Sequence, residues 1–165
     1  MGYTSAMLDL QGLLKARLAM ARTDLRVTLD RFQEEDFHWA PAKGMRSVGA
    51  QLLEMADKDR EVVVWLKTGV WPDNDPPSFD VKNSSLGEAW RRMEEIRATT
   101  LEYIGSLSAE ELEAPVTAPE QWWEALRLTE CPRSEVLRNI AAHEWYHTGQ
   151  LVTYLWSRGD DPYNW

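Results

Sequence analysis

The sequence has little cysteine and no long apolar run, and each lack excludes a class of protein. Cys131 is the single cysteine in 165 residues, so a fold framed by intrachain disulfides is excluded. No apolar stretch approaches the roughly 20 residues that a membrane-spanning helix requires. Residues 1–6 lack the basic start and apolar run of a secretory signal. We therefore expect a cytoplasmic protein.

Basic residues are scarce relative to acidic ones. Lys and Arg number 18 and Asp and Glu number 27, which gives a net charge of −9. Such a field repels nucleic-acid phosphates and anionic lipid surfaces, so we expect neither nucleic acid nor membrane as a partner. The length suits a single domain over residues 1–165, long enough to bury a core without a structural metal.

Strand patterns are also missing, whereas helical periodicity occupies most of the chain. Apolar residues recur at steps of three and four in four segments, which predict helices over residues 5–32, 47–67, 85–104 and 132–159. Ser47, Ser85 and Ser108 are predicted N-caps, the last for a short helix. Gly69 and Gly159 are suited to helix ends.

The segments between the helices set the fold class. Residues 114–133 are predicted to form a loop with a candidate hairpin, and Trp122–Leu126 is a candidate helical turn. Long connections between the second and third helices and before the fourth predict an all-α fold, a four-helix bundle with long crossover loops.

Two histidines lie one turn apart on the fourth predicted helix. His143 and His147 share one face, within an inward-facing stripe formed by Leu137, Ile140, Leu151 and Tyr154. Buried imidazoles need partners, and one metal ion would satisfy both. The alternative is a pair of core histidines hydrogen-bonded to their neighbours. Two on one buried face favour a metal site.

The same segment matches the H-E-x-x-H pattern of zinc proteases, in which Glu144 would be the general base. Only 18 residues follow His147, and no third ligand occurs at a spacing known for such proteases. The protease interpretation is therefore the weakest of those considered.

The string His143-Glu144-Trp145-Tyr146-His147-Thr148-Gly149-Gln150 resembles the last helix of the DinB-like superfamily, which carries H-x-x-x-H followed closely by Gly-Gln. The segment from Ser47 to Ala56 resembles the second helix of that family, and Trp39 and Pro41 resemble the approach to it. The resemblance covers nearly the whole chain. It implies a four-helix bundle of DinB-like type that is often a homodimer.

In that family the third metal ligand is usually a histidine of the second helix, where this sequence has Glu54. The carboxylate lies among Leu52, Leu53, Met55 and Ala56, where it is costly unless paired or metal-bound. With His143 and His147 it would form a two-His, one-carboxylate set with open positions, suited to Zn, Ni, Fe or Mn.

Alternatives at this site remain open from the sequence. Glu54 at the bundle surface would leave a degenerate site, for which Asp57 or Asp59 would be substitutes. Asn139 and Gln150 each lie one turn from a histidine and are candidate pocket residues that orient a ligand.

The resemblance implies a metal-dependent enzyme that activates a thiol or water for transfer to, or hydrolysis of, a small-molecule substrate. A thiol-dependent transferase would use a low-molecular-weight thiol. The alternative is a non-catalytic stress-response bundle with a degenerate metal site, in which Trp71, Trp122 and Trp123 hold a ligand or partner.

Overall fold

Four long helices dominate the computed structural model, which describes residues 9–117, 119 and 127–163. The long helices are α1 (Leu10–Leu29), α2 (Val48–Thr68), α3 (Leu86–Ser106) and α5 (Arg133–Ser157), and the short α4 (Ala109–Glu113) follows α3. A 3-10 helix, Glu34–His38, lies between α1 and α2. The prediction of an all-α four-helix bundle is confirmed.

The helices begin where the capping residues of the sequence place them. Ser47 Oγ accepts a hydrogen bond from the Ala50 amide, and Ser85 and Ser108 each form a capping box with a glutamate three residues later. These side chains satisfy amides that have no partner within the helix. Gly69 ends α2 with a φ of 75°, a left-handed conformation that costs glycine little.

The first and last helices are shorter than predicted. Asp9 caps α1, and its carboxylate accepts from the Gly12 amide at 2.6 Å; residues 5–8 of the predicted helix lie outside the described residues. The helix ends at Leu29 rather than Phe32, because the chain turns there towards the 3-10 helix. At the other end of the chain, α5 stops at Ser157, two residues before Gly159.

The core forms two apolar clusters, one at each end of the bundle. One cluster joins the start of α1 to the end of α2, the end of α3 and the start of α5, through Leu14, Val62, Ile104 and Val136. The other joins the opposite ends of the same helices, through Leu29, Leu52, Met93 and Leu151. Helices α2 and α3 are therefore parallel, and residues 69–85 must cross the length of the bundle between them.

Helix α1 packs on α5 and α3, and α2 packs on the same two helices. The pairs α1/α2 and α3/α5 thus lie diagonally across the bundle, and the long connection before α5 spans one diagonal. It contains an antiparallel pair of short strands, β1 (Pro115–Thr117) and β2 (Glu130–Pro132), where the sequence predicts a loop with a candidate hairpin. The predicted helical turn at Trp122–Leu126 lies outside the described residues.

Within the described residues, every helix is too short or too polar to cross a membrane.

Candidate metal site

The packing of α2 against α5 brings together the three predicted ligands. Glu54 lies on the second turn of α2, and His143 and His147 lie on consecutive turns of α5. One ligand atom from each residue lies within 4.8 Å of the other two. The two Nε2 atoms are 3.2 Å apart, and His147 Nε2 is 3.6 Å from Glu54 Oε1.

The tautomer of His147 is fixed by two glutamine side chains. Its Nδ1 atom lies within hydrogen-bond distance of Gln51 Oε1 and 2.8 Å from Gln150 Oε1. Gln51 Nε2 donates to the Tyr154 hydroxyl at 3.1 Å, which itself donates to the Arg46 carbonyl at 2.8 Å. This chain sets the orientation of the Gln51 amide, so Nδ1 must donate and Nε2 is left with a free lone pair.

These distances fit a metal ion. Metal–nitrogen bonds of about 2.0–2.1 Å place two nitrogens on one ion roughly 3 Å apart, as the histidine Nε2 atoms are. Among the described residues, the buried Glu54 Oε2 has no hydrogen-bond donor. Arg46 Nε lies 2.9 Å from it, close enough for an ion pair but without the alignment of a hydrogen bond. Glu54 therefore retains coordinating capacity.

Both histidines are held in the neutral form, which is the form that binds metals. Burial lowers the pKa of His143 to about 4, and the neighbouring His147 and Lys58 act in the same direction. Burial also lowers the pKa of His147, although Glu54 and Gln150 oppose the shift. At neutral pH protons therefore do not compete for these nitrogens.

The site opens into a cleft of about 480 Å³ that lies along α2. We call it the larger cleft, because a smaller one is described below. Glu54 and His143 line this cleft. Its apolar wall is formed by Ala50 and Leu53, and its other charged side chains are Arg46, Asp57, Lys58 and Glu61. Burial lowers the pKa of Lys58 to about 8, against the attraction of Glu61 and Glu54. A small molecule that enters this cleft reaches Glu54 and His143.

Of the other polar residues that the sequence offered for this site, Gln150 contacts a ligand, whereas Asp57 and Asp59 have other partners. Asp57 accepts from the Ser78 amide at 2.8 Å and from the Ser78 hydroxyl at 2.7 Å. Asp59 is buried and accepts from Arg97 and Thr100, so it is not a substitute ligand. Asn139 is half-buried and is not among the residues that line the cleft, whereas Gln150 contacts His147 directly.

Of the three tryptophans singled out in the predicted loops, the structure describes Trp71. Trp71 is half-buried and packs against the apolar cluster at 5.9 Å from the ring of Trp65. Its contact with the core favours a packing role over a partner surface. Trp122 and Trp123 lie outside the described residues.

Glu144 is buried in the core, where its carboxylate is held by the guanidinium groups of Arg22 and Arg97. It is 2% exposed, accepts two hydrogen bonds from Arg22 at 2.9 and 3.1 Å, and accepts another from Arg97. Burial raises its pKa, but the two guanidinium groups outweigh that effect and hold the pKa below its usual value. Because both oxygens of this buried carboxylate accept from arginines, Glu144 does not fit the role of a protease-type general base, which must take a proton from metal-bound water.

Sequence reasoning missed Gln51 and Arg46. A signal for Gln51 was present, because it lies three residues before Glu54 and therefore on the same face of α2. Arg46 precedes α2 in an irregular segment, and its proximity to Glu54 depends on how that segment enters the helix.

Comparison with known families identifies a superfamily that the chain matches. The model of the DinB superfamily matches residues 17–151 of the chain, which include the whole of α2 and α3 and all three candidate ligands. No curated protein matches the chain.

Proposed function

Because the chain belongs to the DinB superfamily, as the match over most of its length shows, we propose that it is a metal-dependent enzyme with Glu54, His143 and His147 as the ligands of one divalent ion. The observation that carries the proposal is the meeting of two neutral imidazoles and a carboxylate at the end of a cleft. The expected ion is Zn, Ni, Fe or Mn. The predicted cytoplasmic location and homodimer stay predictions.

Held by these three residues, a divalent ion would have open coordination positions and would act there as a Lewis acid that favours the deprotonated form of a thiol or water. The chain supplies the rest. Gln51 and Gln150 keep His147 Nε2 directed at Glu54 and His143. Leu53 and Ala50 provide an apolar wall that limits water, and the Lys58 ammonium adds positive charge that stabilises an anion developing in the cleft.

The reaction class proposed is transfer of a thiol to a small electrophile, or hydrolysis by water at the same position. A low-molecular-weight thiol is the proposed co-substrate for transfer, since a cleft of about 480 Å³ is large enough for small molecules only. An activity screen with metal-loaded protein distinguishes thiol transfer from hydrolysis.

Metal analysis of protein purified without an affinity tag tests the ligand set. We expect near-stoichiometric divalent metal in the wild type and its loss in His147→Ala and Glu54→Ala. Glu61→Gln is the matched control, because Glu61 is a carboxylate of the same cleft outside the ligand cluster, and it should retain metal.

Wild-type protein that holds no metal after reloading with each candidate ion would contradict the proposal. That outcome would instead favour a non-catalytic bundle that binds a ligand or partner. Equal loss of metal in Glu61→Gln would show that the whole acidic cleft, rather than the three-residue site, holds the ion.

A further inference from the structure

A second, smaller cleft lies on the other side of Arg46, and the proposed metal function does not use it. It has a volume of about 300 Å³ and is lined by residues that include Met45, Arg46, Gln150 and Thr153. Arg46 also lines the larger cleft, so its side chain stands between the two. The volume is sufficient for a small organic molecule.

The two clefts differ in charge. The larger cleft has three carboxylates, Glu54, Asp57 and Glu61, against Arg46 and Lys58. The smaller cleft, over the residues that the structure describes, has Arg46 as its one charged side chain. An anion in the smaller cleft therefore meets the Arg46 guanidinium with no carboxylate among the described wall residues, while Arg46 Nε pairs with Glu54 Oε2 on the side of the larger cleft.

The Gln150 amide supplies free donor groups beside Arg46 in the smaller cleft. Gln150 Oε1 is occupied by His147 Nδ1, so the amide N–H groups of Gln150 are the part of this side chain left for a ligand, and no acceptor meets them within the described part of the chain. The hydroxyl protons of Tyr154 and Thr153 are already donated, to the Arg46 carbonyl and to the Gly149 carbonyl at 3.0 Å, so neither is left for a ligand. Donor groups beside a guanidinium suit an acceptor-rich, negatively charged ligand.

We propose that the smaller cleft binds the carboxylate of a small organic acid through the Arg46 guanidinium and the Gln150 amide. The planar guanidinium matches a carboxylate with two parallel hydrogen bonds. Arg46 also contacts the ligand cluster, through Glu54 Oε2 at 2.9 Å, as Gln150 does through His147. An organic acid whose carboxylate is held there places its other atoms beside the metal site. That consequence rests on the proposed function, whereas the binding of the carboxylate does not.

Succinate is the probe and its uncharged diamide, succinamide, is the matched control ligand. Titration of metal-free protein, followed through the side-chain amide NMR signals of Gln51 and Gln150, should show binding of succinate and none of succinamide. Arg46→Gln should weaken succinate binding at least about tenfold, as expected for loss of a charge-assisted hydrogen bond. Thr153→Glu, which places a carboxylate at the cleft wall, should weaken it too.

Two further variants make the test specific. Arg91→Gln removes an exposed arginine outside the cleft and should leave succinate binding unchanged. Glu54→Gln removes the anionic neighbour of Arg46 together with a proposed metal ligand, so it should bind succinate at least as tightly as the wild type while it loses metal. Retained succinate binding without metal binding in the wild type would refute the proposed function alone.

Equal binding of succinate and succinamide would overturn the assignment. So would an unchanged affinity in Arg46→Gln and Thr153→Glu, with folding of both variants verified by circular dichroism. Because Thr153 is exposed, its substitution remains informative if Arg46→Gln fails to fold.

Discussion

Gln51 connects the ligand His147 to the rest of the fold. It is 3% exposed, it accepts from His147 Nδ1, and it donates to Tyr154. A hydrogen bond of this kind fixes both the tautomer and the ring orientation of a ligating histidine, and its loss usually weakens metal binding. The hydrogen-bond chain through Tyr154 ends on the Arg46 carbonyl, so it also ties α5 to the segment that precedes α2.

We expect Gln51→Leu to lower the affinity for the divalent ion by about 10- to 100-fold. The substitution keeps the side-chain size close to that of glutamine but removes the acceptor that holds Nδ1. Competition with a chromophoric chelator, carried out on folded protein, measures the affinity directly.

Gln11→Leu is the control for the loss of a glutamine. The Gln11 amide donates to the Ile104 carbonyl at 3.0 Å, at the end of α3, and does not contact His147. The Gln11→Leu variant should therefore have the metal affinity of the wild type. A Gln51→Leu variant that binds metal as tightly as the wild type would show that Gln150 alone is sufficient to orient His147.

The three candidate ligands could be identified from the sequence, whereas their supporting residues could not. His143 and His147 share a helix face through local spacing alone. Glu54 was located by the resemblance of its segment to the second helix of the DinB-like family, and its apolar neighbours then favoured a ligand over a surface carboxylate. The partnership of Gln51 with His147 spans 96 residues, and helical periodicity carries no information about contacts between helices.

The helices of this bundle were predictable because their signals are local. Ser47, Ser85 and Ser108 mark helix starts through hydrogen bonds to amides three residues away. The 3-10 helix at Glu34–His38 and the strands β1 and β2 were not predicted as such. Each has five residues or fewer, too few to show a period.

Two helical glycines provide opposite tests of packing. At Gly49, near the start of α2, an added Cβ would lie 2.6 Å from Cζ of the buried Phe37 on the 3-10 helix. Gly149, within α5, has no atom within 4 Å of the same position. Gly49 is therefore needed for the close approach of the 3-10 helix, whereas Gly149 is not needed for packing.

We expect Gly49→Ala to lower the free energy of unfolding by about 1–3 kcal/mol through overpacking. Gly149→Ala should raise it by about 0.5–1 kcal/mol, because alanine restricts the unfolded chain and favours the helix. Urea denaturation of both variants measures the two values. A loss of stability in Gly149→Ala would contradict the open space around this position.

The four long helices meet in one buried ionic network. Each contributes one charged residue: Arg22 from α1, Asp59 from α2, Arg97 from α3 and Glu144 from α5. All four are at most 8% exposed. Arg97 joins the two carboxylates, since its Nε lies 2.7 Å from Asp59 Oδ2 and its Nη2 lies 2.5 Å from Glu144 Oε2.

Sequence reasoning could not predict this network, although each member is visible in the sequence. Arg22 and Glu144 are 122 residues apart, and each resembles an ordinary surface charge on an amphipathic helix. What distinguishes them is burial, which follows only when all four helices are packed. The network lies between the two apolar clusters and behind the candidate metal site, so it restricts which helix faces can meet.

Removal of one member of the network should be costly, because the remaining charges stay buried without compensation. We expect Glu144→Gln to lower the free energy of unfolding of metal-free protein by about 3–5 kcal/mol, the range found when one partner of a buried ion pair is removed. Glu135→Gln is the matched control on the same helix: Glu135 pairs with Arg138, but its side chain is 48% exposed, and exposed pairs contribute about 1 kcal/mol or less. Urea denaturation followed by circular dichroism compares the two. Similar small losses in both variants would mean that water reaches Arg22 and Arg97, and that apolar packing alone sets the arrangement of the helices.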